Sequence, residues 1–170
     1  MFKIGDLIIY STHGVCRIDD ICERTYREVT REYYVLHPIE DPNLSISAPV
    51  DSEQVVMLDI MDEKEAEEVL NAFKEPGIEW IEDAKQRNKK YLGIINSGNR
   101  DKIIKIAHTL MQKQREAKRN KERLYDQDEK MLEEIQRIMF QELAASLGTT
   151  VEKIIARIYD NLPAKVSEKY

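Results

Sequence analysis

Trp80 is the only tryptophan of the 170-residue chain, and it heads the most basic stretch of the sequence. Lys85, Arg87, Lys89 and Lys90 follow it within one predicted helix, and Lys102 and Lys113 belong to the next. Cations interleaved with an aromatic ring are what a nucleic-acid surface requires, since cations meet phosphates while the ring stacks on bases or wedges between them. At 100° per residue from Trp80, the apolar face of the first helix is Ile81, Ala84, Tyr91, Leu92 and Ile95. Trp80 falls on the rim of that face, with Arg87 about 20° away and Lys90, Lys85 and Lys89 farther round. A second reading stands beside this one: tryptophan is usually well buried, and charged helix faces are usually only solvated. Two details favour binding. The excess is of one sign, with Lys105 adding to it, and it flanks a Ser97-Gly98-Asn99 turn on either side of which two helices can present one surface.

Other chemistries lack their residues. Catalysis needs a convergent acid, base and nucleophile, and the adjacent Asp19 and Asp20 face opposite sides of a strand. The sequence has no glycine-rich phosphate loop and no G-x-S-x-G. Zinc would take a paired Cys/His set, but Cys16 and Cys22 stand without a second pair, and His13, His37 and His108 are scattered. On one strand the two cysteines sit an even number of residues apart, about 20 Å at ~3.3 Å per residue, so both are expected to point inward as reduced core thiols. No metal, cofactor or catalytic role is expected.

Charge divides the chain. The net charge is −6, but residues 1–79 carry 7 basic and 18 acidic side chains, a net −11, residues 80–125 carry +8, and residues 126–170 carry −3. An acidic front joined to a basic middle points to two partners, one of them polyanionic. With 42% hydrophobic and 34% charged residues the composition is that of a soluble globular protein. No apolar run approaches the ~20 residues of a bilayer crossing, and the first residues lack the apolar stretch of a secretory signal. The expectation is a cytoplasmic protein with no membrane partner.

The elements that must position these residues come in two kinds. From Lys3 to Leu58 short runs rich in β-branched and aromatic residues alternate with turn formers, predicting five strands: Leu7 to Tyr10, Gly14 to Tyr26, Arg31 to His37, Leu44 to Ala48 and Val55 to Leu58. Strands this short and evenly spaced predict a small, strongly curved β barrel. After Met61 the period becomes helical. Helices are predicted after Asp62, from Trp80 to Asn96, from Asn99 into a charged run ending at Arg123, from Asp128 to Leu147, and from a Thr149-Thr150-Val151-Glu152 capping box to Pro163. The fold class is therefore α+β: residues 1–60 as a five-stranded barrel, residues 61–170 as an all-helical domain.

Within the barrel, the strand from Leu44 to Ala48 ends at Pro49, a residue tolerated at sheet edges because it donates no ladder hydrogen bond. An exposed edge of this kind accepts a strand from another protein. Leu44, Ile46, Ser47 and Pro49 are its candidate contacts. Arg24 is a cation in an acidic domain, available to a partner's carboxylate or to a neighbouring glutamate.

Phe2-Lys3-Ile4-Gly5-Asp6-Leu7-Ile8-Ile9-Tyr10, His13-Gly14-Val15, Tyr33-Tyr34-Val35-Leu36 and Leu44-Ser45-Ile46-Ser47-Ala48-Pro49 together resemble the RNA-polymerase-interacting domain of CarD/CdnL proteins and transcription-repair coupling factors. Tyr91-Leu92, Ser97-Gly98-Asn99, Lys130-Met131-Leu132 and Gln141-Glu142-Leu143-Ala144 resemble the helical part of CarD, so the likeness spans nearly the whole chain. A coupling factor would also need motor domains that this length cannot hold. The resemblance implies a bacterial, non-enzymatic transcription regulator. In that family a Tudor-like barrel grips the RNA polymerase β subunit by strand pairing. The helical domain touches promoter DNA at the upstream edge of the bubble, where a tryptophan wedge stabilises the open complex. Arg24 matches a family arginine that contacts polymerase, and Ser47 stands where some members carry a second one. Arg87, Lys89 and Lys113 match basic positions. The family's usual tryptophan position holds Ala84, one helical turn after Trp80. The expected partners are thus the polymerase β subunit and promoter DNA, bound by a monomer; a DNA-binding architectural protein or repressor acting without polymerase is the alternative.

Overall fold

The computed structural model describes residues 1–10, 13–53 and 57–163. Five strands, β1 (Leu7–Tyr10), β2 (Gly14–Tyr26), β3 (Val29–Pro38), β4 (Ile46–Pro49) and β5 (Met57–Asp59), form one antiparallel sheet in the order β4-β3-β2-β1-β5. The predicted barrel is not formed: among the described residues no pairing joins β5 back to β4, and the sheet is open. Closure needs strand tilt and shear shared by every strand. Edge strands of four and three residues leave little ladder with which to complete the circle. Of the predicted fifth strand, Val55 and Val56 lie outside the described residues, and β5 begins at Met57. Leu44 precedes β4 and is exposed.

A bulge changes the parity of β2. The register moves from Ile18↔Leu36 to Asp20↔Val35 and Ile21↔Tyr34, so Cys16, Ile18 and Ile21 face the core with Leu36 and Tyr34. Cys22 pairs with Tyr33 on the other face, which overturns the expectation that both cysteines point inward. Both are free thiols, Cys16 buried and Cys22 half-buried. The extra residue, Asp19, turns out to meet the His37 ring at 2.7 Å.

The helical part comprises α1 (Glu63–Ala72), α2 (Ala84–Ser97), α3 (Arg100–Arg119), α4 (Asp126–Ile135), a π-helical segment (Gln136–Phe140) that runs on into α5 (Gln141–Ser146), and α6 (Val151–Asn161). Asp62 caps α1 and Glu65 returns the bond to the Asp62 amide, a complete capping box. At α6 the predicted box is only half made, because Thr150 caps the Lys153 amide and the reciprocal position is a lysine. Gly98 ends α2 at φ +70°, a conformation that L side chains rarely adopt, and Asn99 caps α3 one residue later. The α2–α3 hairpin therefore forms where the Ser-Gly-Asn signal put it.

Two cores result. Ile8, Cys16, Ile18, Tyr34, Leu36 and Ala48 pack beneath the sheet. The larger core centres on α3, which packs against α1, α2 and α4 and whose Ile104, Ala107, Leu110 and Met111 share one apolar cluster with residues of α1, α4, α5 and α6. Glu142 joins the junction: its Oε1 accepts from the Met61 amide at 2.8 Å and from Arg100 Nη2 at 3.2 Å, and burial raises the pKa of this carboxyl.

Candidate functional site

Trp80 is not on a helix. The predicted helix from Trp80 to Asn96 begins instead at Ala84, with Asp83 accepting from the Gln86 amide at 2.8 Å, because an aspartate at the cap satisfies the orphan N–H groups better than a longer helix would. The segment before it is a loop fastened on both sides of the tryptophan. The Ile78 amide donates to Lys105 O at 3.2 Å, and Thr109 Oγ1 donates to Ile78 O at 2.8 Å. Tyr91 Oη donates to Glu79 O at 2.7 Å, and Arg87 Nη1 donates to Ile81 O at 2.7 Å and Glu82 O at 3.3 Å. Gly77 lets the loop come this close to α3, since a Cβ there would lie 2.3 Å from Thr109 Oγ1 and 2.9 Å from His108 Cδ2. Backbone carbonyls on either side of Trp80 are thus held by side chains of α2 and α3, and the indole itself is half-buried against the helical core.

The helical-wheel expectation for Arg87 fails with the helix boundary. Arg87 is buried, 1% exposed, and points into the protein. Its Nε and Nη2 reach the Asp128 carboxylate at 3.0 and 2.5 Å, a fork-on-fork pair with both side chains out of water. Hydrogen bonding to Asp128 raises the arginine pKa further, and burial lifts the Tyr91 phenol to about 12. Asp128 and two carbonyls take four of the five N–H groups of Arg87, and at 1% exposure the guanidinium is not open to a phosphate. Its guanidinium plane instead lies 4.1 Å from the Trp80 ring centroid, and Lys113 Nζ lies 4.9 Å from the same centroid. Lys113 is half-buried, with Glu116 Oε2 at 3.7 Å.

The remaining cations are spread out. Lys85, Lys89 and Lys90 are exposed on the side of α2 away from buried Arg87 and Tyr91. Lys102 is exposed in the first turn of α3, eleven residues from Lys113 and so about 16 Å along the helix at 1.5 Å per residue. The structure therefore gathers Trp80, Arg87 and Lys113 and leaves Lys102 at the far end of the hairpin. The expected charged helix to Arg123 stops at Arg119, and Lys121 has a φ of +56°. Sequence reasoning missed Asp128, Tyr125, Gly77 and Thr109, and it placed Tyr91 on the apolar face of the helix without its bond to Glu79 O. Only the i, i+4 placement of Arg87 and Tyr91 gave a local signal that both share one helix face.

On the sheet, β4 is an edge strand, and Pro49 pairs with Tyr33 as Ser47 does with Val35. Because Tyr34 and Leu36 face the core, Tyr33 and Val35 face away from it, and with them Ser47, Pro49, Cys22 and Arg24. Arg24 stands directly opposite Arg31, next to Tyr26 and Tyr33, whose rings meet edge to face at 5.9 Å. Ile46 packs against the sheet core, so its side chain is not offered to a partner.

Comparison with known proteins decides the family. Residues 2–60 match the model of the CarD-like/TRCF RID domain, a domain type known to interact with RNA polymerase, and residues 68–159 match that of the CarD C-terminal domain. The chain belongs to the CarD family. It is also similar to a protein described as "Putative transcription factor YdeB" from Bacillus subtilis (strain 168), 26% identical over 158 residues that cover 91% of this chain and 97% of that protein. Its role is therefore transcription-related, in a family that is generally not enzymatic. No helix among the described residues is long and apolar enough to cross a membrane, and no group of His, Cys, Asp and Glu among them could hold a metal ion.

Proposed function

We propose that this CarD-family protein binds the RNA polymerase β subunit through the outer face and β4 edge of its sheet, residues 1–60, and promoter DNA at the upstream edge of the bubble through residues 61–170. On the sheet the contacts are Arg24, Ser47 and Pro49 with the backbone edge of β4, and Leu44 extends that edge. On the helical side Trp80 is the apolar group against the DNA, Lys113 covers its ring in the free protein, and Lys85, Lys89 and Lys90 meet phosphates, with Lys102 a more distant one. Arg87 acts behind the surface.

The observation that carries this reading is the construction around Trp80. A half-buried tryptophan on a loop fastened at four neighbouring carbonyls, inside a segment of net charge +8, is a pre-positioned apolar wedge with cations beside it. Inserting such a wedge between base steps at the fork opposes reclosure of the bubble and so prolongs the open complex. The test is the lifetime of the polymerase–promoter open complex with and without the protein. Wild type is expected to lengthen it and Trp80→Ala to abolish the effect while still binding the β subunit. A chain that protects DNA equally well without polymerase would favour the architectural-protein alternative.

A further inference from the structure

We propose that Tyr125 is a second stacking residue of this surface, receiving an unpaired base beside the one met by Trp80, and that the buried Arg87–Asp128 pair holds the two rings in place. The proposal rests on the reading that the Trp80 face meets DNA at a fork.

Tyr125 is 68% exposed, more than any other aromatic residue described. It lies on the loop between α3 and α4, yet its backbone is fixed: it is the N-cap of α4, and its carbonyl accepts from the Glu129 amide at 3.0 Å. The Arg87 guanidinium carbon lies 5.8 Å from the centroid of the Tyr125 ring and 4.1 Å from that of Trp80. One planar cation therefore lies against two aromatic rings whose centroids are no more than about 10 Å apart, close enough for bases of one strand to reach both.

Asp128 is what makes this cation a support and not a ligand. It takes Arg87 Nε and Nη2, neutralises the charge and fixes the plane of the guanidinium, and it stands three residues after Tyr125, so the residue that orients the support sits in the first turn of the helix that Tyr125 precedes. Lys113, Trp80, Arg87 and Tyr125 thus form a run of alternating cations and rings with one ring largely in water. The occupant that fits is a nucleobase: it has a π face for the ring, and its phosphates suit the +8 charge of residues 80–125.

The experiment uses the full chain and a forked DNA carrying 2-aminopurine in the unpaired strand beside the junction, with a matched duplex as reference. Wild type is expected to quench the 2-aminopurine and to prefer fork over duplex. Tyr125→Ala is expected to lose the quenching and to reduce that preference at least about five-fold, the lower bound for removing one base–aromatic stack. Tyr125→Phe, which keeps the ring, retains both signals, and the melting temperature of either variant stays near that of wild type because the side chain is exposed. If Tyr125→Ala quenches and discriminates as wild type does while Trp80→Ala does not, the proposal falls and the DNA-facing reading stands. If wild type itself shows no preference for the fork, that reading falls and takes this proposal with it.

Discussion

The Trp80 loop and the β4 edge both reach the surface while packing one side against a core, but they are built on opposite principles. Around Trp80 the polar groups are spoken for: Glu79, Ile81 and Glu82 carbonyls accept from buried side chains, and the arginine behind the ring is neutralised by Asp128. At the sheet edge the capacity to bind comes from what is left open, a four-residue strand with a neighbour on one side only and two arginines facing each other across β2 and β3. In the proposed function the first is a preformed shape that must hold still to wedge into DNA, and the second is a backbone and charge pattern to be completed by a partner, one that tolerates adjustment.

The largest expected effect follows from that difference. Asp128→Ala leaves Arg87 charged, buried and unpaired, which costs about 3–5 kcal/mol of folding stability when one member of a buried pair is removed. Urea unfolding measures it. The double variant Arg87→Met/Asp128→Leu should recover much of the loss, since an apolar replacement of the whole pair leaves no uncompensated charge. A loss under about 1 kcal/mol for Asp128→Ala would class the pair with surface salt bridges and remove the rigidity argued for the loop.

Alkali separates the two regions by a different route. Burial pushes the Cys16 thiol of the sheet core from 9.0 to about 11, and the Tyr91 phenol beneath the Trp80 loop from 10.0 to about 12. In each case the native state keeps its proton where the unfolded chain has lost it. Stability is therefore complete below the unfolded pKa and falls as pH rises through the window, by about 2–3 kcal/mol at its upper end for each group. Unfolding curves should steepen in pH dependence from pH 9 to 11 through Cys16 and from pH 10 to 12 through Tyr91. Cys16→Ala is expected to flatten the first interval only, and Tyr91→Phe the second. An unchanged slope in Cys16→Ala would mean that the thiol is hydrated in the native sheet.

The third expectation addresses the open edge. Arg24→Glu reverses a charge on the outer face without touching the core, so the melting temperature should hold while affinity for purified polymerase β subunit falls about ten-fold or more, the scale of a charge-assisted hydrogen bond in a complex. Unchanged affinity would move the polymerase contact away from the β2–β3 face.

What could be read from sequence follows the range of the forces involved. The Ser97-Gly98-Asn99 hairpin, the start of α1 after Asp62 and the core face of α3 are local matters of spacing and backbone preference, and they stand where the residues put them, whereas the cap of α6 falls on Thr150 without its reciprocal bond. Trp80 and Ile81 continue the apolar period of α2 backwards, so periodicity alone extended the helix over a loop that Asp83 cuts off. Cys22 was misplaced because one bulged residue reverses the facing of everything after it. Whether a sheet closes depends on the meeting of its first and last strands, which no single strand encodes. The charge pattern makes Arg87 a phosphate contact because its partner lies 41 residues away, and a charge count cannot tell a solvated arginine from a paired one.

The smallest expected effect lies on the lysines of α2. Lys85, Lys89 and Lys90 are exposed on α2 and take no part in the construction around Trp80. Each phosphate they neutralise releases condensed counterions, so the logarithm of the fork-DNA association constant should fall linearly with the logarithm of salt concentration, and Lys89→Ala should reduce that slope by about one. Folding stability and the quenching of a base stacked at Trp80 should be unaffected, because the wedge is held by Arg87, Tyr91 and Thr109 and not by this lysine. Lys102→Ala, about 16 Å from Lys113 along α3, should change the slope less than Lys89→Ala if contact is centred on the loop. Equal changes for both would spread the interface along the whole α2–α3 hairpin, and a salt-independent affinity would mean that this face meets a protein and not DNA.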